Sequence, residues 1–112
     1  MNLTDDAKKI IAESSNKVKL EAALEVINNL LNEHAVFPTE LQWTILINHV
    51  NEMINRSVAD EKMTGVDPEM FAEVSKEAIE IADNVVRHIG NLPQSEMYVL
   101  SIHFETARQN EQ

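Results

Sequence analysis

Chain breakers are scarce in this sequence and spaced far apart. Only two glycines and three prolines interrupt 112 residues. Glycine and proline are the residues that open turns and end regular elements, so a chain with so few of them must run in long segments. The period of the apolar residues decides the type of segment. They recur at three- and four-residue intervals, and the two-residue alternation of a strand is absent. The pattern predicts an all-α chain, a compact bundle of five helices in one domain over residues 1–112.

The breakers and caps set the expected boundaries. A first helix is expected over residues 4–14 and a second over 16–34, with Val18, Ala22, Val26, Leu30 and Leu31 at helical spacing. Pro38 and Thr39 open a third helix to residue 57, and Thr39 and Gln42 have capping-box spacing. Residues 58–66 form the one substantial loop. Asp67 and Pro68 read as the N-cap and first-turn pair of a fourth helix, which closes with Arg87, His88 and Gly90. Pro93 opens a fifth helix to residue 108, and the tail "QNEQ" is expected to fray.

Composition excludes several functions. The absence of cysteine removes disulfides, thiolate metal sites and cysteine nucleophiles, and fits a reducing compartment. No apolar run approaches the roughly 20 residues of a membrane span, and "MNLTDDAKK" lacks the apolar segment of a signal peptide. The expected location is therefore the cytoplasm. Nine basic residues against nineteen acidic ones give a net charge of −10. Nucleic acid and anionic membranes are bound mainly through lysine and arginine, so neither is an expected partner. There is no HExxH, phosphate loop or nucleophile elbow. No carboxylate stands three or four residues before a histidine, the spacing of a Glu-x-x-His ligand pair. No metal, cofactor or catalytic residue is assigned.

Two of the four histidines stand out. His34 and His88 fall in last turns, where dipole complementation and solvent exposure explain them. On the third helix Trp43, Leu46, Ile47, Val50, Met53 and Ile54 make the apolar face, and His49 falls on its boundary. By position alone it reads as an edge residue with its hydrogen bonds met. On the fifth helix Gln94, Ser101, Glu105 and Arg108 form a narrow polar stripe. His103 points away from that stripe, on one line with Glu96 and Ala107. Burying an unpaired imidazole or carboxylate is costly. Either these groups have internal partners, the simpler reading, or this side of the helix lines a site or an interface.

"LQWTILINHVNEMINR" and "QSEMYVLSIHFETA" resemble the two histidine motifs of the phosphotransferase-system regulation domain, the PRD. The order of the motifs and the 54 residues between His49 and His103 also suit that family. The resemblance covers roughly residues 17–108 and is strongest over 39–108. Asn48 stands where the family carries aspartate, and the Tyr-Pro feature between its motifs is missing.

The resemblance implies a five-helix bundle with a regulatory role and no enzymatic one. It implies that His49 and His103 accept phosphoryl groups, with Arg56 and Glu96 as supporting motif neighbours. The implied donors are the phosphocarrier HPr or sugar-specific components of the phosphotransferase system. The implied assembly is a homodimer whose packing responds to phosphorylation, with Trp43, Met97 and Phe104 as candidate surplus apolar surface. Family domains usually occur in tandem behind a nucleic-acid-binding module. Here the expectation is a stand-alone module of carbohydrate and transcription control, acting through protein contacts. The alternatives are an unphosphorylated dimerisation scaffold and, further behind, a small helical metal protein or enzyme.

Overall fold

The computed structural model describes residues 1–110. The regular structure there is five α-helices and one short 3-10 turn, the helices being α1 (Asp5–Glu13), α2 (Lys17–Glu33), α3 (Glu40–Ala59), α4 (Lys76–Ile89) and α5 (Gln94–Arg108). Their buried faces share a single contiguous hydrophobic core. No helix among the described residues is long and apolar enough to cross a membrane.

The third helix follows its sequence signals closely. The Thr39 hydroxyl accepts from the Gln42 amide at 3.1 Å, and the Gln42 side chain accepts from the Thr39 amide at 2.9 Å. Two otherwise unmet donors are thereby satisfied. Trp43, Leu46, Ile47, Val50, Met53 and Ile54 are all buried. Short polar side chains fasten α1 to the opposite flank of α3. Thr4 Oγ1 lies 2.8 Å from Thr44 Oγ1, and Ser14 donates to Asn51 Oδ1 at 2.6 Å. Thr4 also caps α1, and Asp5 and Asp6 suit the positive end of its dipole.

Four expectations need correcting. The buried stripe of α2 is Leu20, Ala23, Leu24, Ile27 and Leu31, while Val18 is 80% exposed. Two apolar stripes compete on this helix, and the one richer in leucine and isoleucine is buried. Asp67 and Pro68 do not start α4. Asp67 accepts from the Glu69 amide and caps only a short 3-10 turn, Pro68–Phe71. The helix begins at Ser75, whose hydroxyl accepts from the Ala78 amide and whose own amide donates to Glu105 Oε2 at 2.7 Å. A tertiary bond to α5 therefore selects the later cap. Trp43, Met97 and Phe104 are not surplus surface but core. Ser101 is buried too, its hydroxyl donating to the Tyr98 carbonyl at 2.6 Å, so the polar stripe of α5 is interrupted.

The chain end is partly tied down. Asn110 exchanges two hydrogen bonds with Gln42 and donates to the Phe37 carbonyl. The rest of the expected frayed tail, Glu111 and Gln112, lies outside the described residues.

Candidate functional site

His49 and His103 come together where α3 crosses α5. Their ring centroids are 4.8 Å apart, with the planes tilted by 37°. A second cross-link between the same helices lies seven residues further along each. Arg56 Nε donates to Glu96 Oε2 at 2.7 Å and its Nη2 to Oε1 at 2.8 Å. Counting up α3 from His49 to Arg56 and down α5 from His103 to Glu96 shows that the helices run antiparallel here. Seven residues are two turns, about 10.5 Å of helix. The polar line on α5 thus faces two polar groups of α3.

Burial sets the electrostatics. Glu96 is fully buried and Arg56 is 21% exposed. A carboxylate removed from water needs a strong partner, and the planar guanidinium fork fits it with two bonds. The same hydrogen bonds raise the arginine pKa further above its ordinary value. Arg56 is therefore occupied and not a free receptor for an incoming anion.

The histidines are half-buried. Burial lowers the His49 pKa to about 4, and the nearby His103 and Arg56 push in the same direction, with Glu96 opposing them. Burial also lowers the His103 pKa. Both rings are consequently neutral at neutral pH, and each carries a ring nitrogen lone pair able to act as a nucleophile. His49 Nε2 is buried without a hydrogen-bond partner among the described residues. His103 borders an open hollow of about 200 Å³ whose other walls are Gln42, Ile45 and Thr106. Sequence reasoning did not single out these lining residues. Gln42 was visible only as a capping residue.

The other two histidines lie apart from this pair. His88 is exposed in the last turn of α4, as read from position. His34 is not simply solvated. It caps α2, and its Nδ1 lies 3.1 Å from Glu77 Oε2. Glu77 also accepts from Arg108, which donates in turn to Glu105. Glu105 and Arg108 are three residues apart on one helix, whereas Glu77 and His34 join through tertiary packing. Among the described residues, no three histidine or carboxylate side chains form a group able to hold a metal ion.

The described residues thus form an all-helical bundle in which two histidines face each other and a buried Arg–Glu cross-link joins the same two helices. The PRD domain model matches residues 21–107, and the chain belongs to the PRD family. A solved structure described as a PRD-containing transcription regulator from Lactobacillus casei ATCC 334 is similar over almost the whole chain. It is 42% identical, with a TM-score of 0.91 and 96% of each chain covered. No curated protein matches.

Proposed function

We propose that this PRD module is a phosphorylation-responsive regulator in which His49 and His103 form one phosphoacceptor site. The observation that carries the reading is the pair itself. Two neutral imidazoles stand 4.8 Å apart, and His103 of the pair borders an open hollow. The Arg56–Glu96 cross-link holds the same two helices in register. The donors are the phosphocarrier or sugar-specific components of the phosphotransferase system, so the protein works in the cytoplasm. It is not an enzyme, and its output passes through protein contacts to transcription control, the role named for the similar Lactobacillus casei protein. The acidic net charge of −10 disfavours direct nucleic-acid contact.

The working form is a homodimer joined near the histidines. Exposed apolar side chains there support this placement. Ile45 lines the hollow with His103, Leu41 lies one turn before it on α3, and Ile102 precedes His103 on α5. A phosphoryl group adds up to about two negative charges. Next to a contact between two acidic chains, that charge shifts the association equilibrium.

The test is reconstitution with phosphoenolpyruvate, enzyme I and HPr or a sugar-specific component, followed by analytical ultracentrifugation. The dimer dissociation constant changes on phosphorylation, and the His49→Ala/His103→Ala double variant does not respond. An unchanged constant after demonstrated transfer, or no transfer from any donor, replaces this reading with the scaffold.

A further inference from the structure

The two imidazoles are placed differently, and the inference drawn from that difference rests on the phosphoacceptor reading above. His103 forms a wall of the hollow, with Gln42, Ile45 and Thr106 as the other walls. None of these carries a carboxylate. In a chain of net charge −10 the lining of this hollow sets no negative charge against an incoming phosphoryl group. His49 does not line the hollow. Its Nε2 is buried and has no hydrogen-bond partner among the described residues.

A buried polar atom without a partner is costly and uncommon, and it calls for a functional state that supplies one. A phosphoryl group on the neighbouring ring brings three strong acceptor oxygens. The ring centroids are 4.8 Å apart, which puts His49 within reach of such a group. We propose that His103 is the acceptor and His49 a positioning residue, whose Nε2–H donates to the phosphoryl group bound on His103. The assignment also fixes the neutral His49 tautomer, with its proton on Nε2.

Phosphoramidate is a suitable small donor because it needs no protein docking surface. Its phosphorus–nitrogen bond breaks as a phosphorus–nitrogen bond to the His103 ring forms. Ammonia leaves and carries off the imidazole proton as ammonium. No electrons are gained or lost by any external reagent.

The experiment follows phosphoramidate labelling of the full chain by mass spectrometry under conditions that preserve phosphohistidine. The wild type is expected to take one phosphoryl group, on His103, and His103→Gln none. The amide nitrogen of glutamine reaches about where Nε2 stands, while that of asparagine mimics the other ring nitrogen. His49→Gln is therefore expected to label at close to the wild-type rate. His49→Asn and His49→Ala are expected to label about tenfold more slowly, the effect of one charge-assisted hydrogen bond. The glutamine and asparagine variants both keep a polar side chain, so their comparison stands even if His49→Ala folds poorly. Two groups per wild-type chain, a single group on His49, or equal rates for the glutamine and asparagine variants overturn the assignment. Phosphate on His49 alone overturns it while leaving the shared-site reading intact. No labelling in the wild type overturns it as well, and failure of the protein donors too removes the underlying reading.

Discussion

Arg56 grips Glu96 through two hydrogen bonds of 2.7 and 2.8 Å, and the carboxylate it holds has no exposure to solvent. The arginine retains 21% exposure, which makes the pair asymmetric. Removing the arginine strands a buried charge, while removing the carboxylate leaves a guanidinium that still reaches water. Breaking a buried pair costs about 3–5 kcal/mol when the remaining charge is uncompensated. Arg56→Ala is expected in that range and Glu96→Ala clearly below it. The double variant should lose less than the sum of the two. Urea unfolding of the four proteins in a double-mutant cycle measures all three quantities.

Acid should weaken the fold through His49 before carboxylate protonation takes over. Its pKa is lowered from 6.5 to about 4 in the folded chain, so between these values the unfolded chain binds more protons. Stability is then fully present above pH 6.5 and falls as the pH drops toward 4. His103 is shifted in the same direction by burial. Glu77, Glu105 and Asp60 have lowered pKa values, so their contributions also fade in acid, but below the ordinary carboxylate range. After allowance for partial solvent screening, His49 is expected to account for about 1 kcal/mol lost between pH 7 and pH 5. Denaturant unfolding at the two pH values should show a smaller loss in His49→Gln than in the wild type.

The start of α4 distinguishes two caps. Ser75 caps a fourteen-residue helix, and Asp67 caps a four-residue turn. Ser75→Ala is expected to cost about 1 kcal/mol, and Asp67→Ala a few tenths at most. Thermal melts monitored by circular dichroism rank the two. Equal losses would contradict the assignment.

These results show what local pattern can and cannot decide. The α3 face was legible residue by residue, because one apolar stripe dominates and its capping box is local. The α2 face was not, because two stripes compete and only packing chooses between them. Asp67–Pro68 carries a sound local start signal, yet the bond from the Ser75 amide to Glu105 sets the helix start. The motif resemblance singles out His49 and His103, with Arg56 and Glu96 as motif neighbours, and the fold brings each pair together. The pairing of Arg56 with Glu96 and the orphaned Nε2 of His49 are contacts between residues at least 40 positions apart or consequences of burial. No local spacing contains them.

Dimerisation should depend on the exposed strip beside the histidines rather than on the buried Trp43, Met97 and Phe104. Light scattering at tens of micromolar, suited to micromolar affinities, is expected to show a dimer for the wild type. Ile45→Asp should give monomer, since it places a charge on that strip. A dimer unaffected by Ile45→Asp would put the contact elsewhere.

The central claim is that the facing imidazoles of α3 and α5 receive the phosphoryl group. Its most direct test is site-resolved mass spectrometry of the chain after incubation with phosphoenolpyruvate, enzyme I and HPr, under conditions that keep phosphohistidine intact. The account predicts phosphate within the His49–His103 pair and none on His34, held by Glu77, or on exposed His88. Phosphate on His34 or His88, or on no histidine with any phosphotransferase donor, would contradict it.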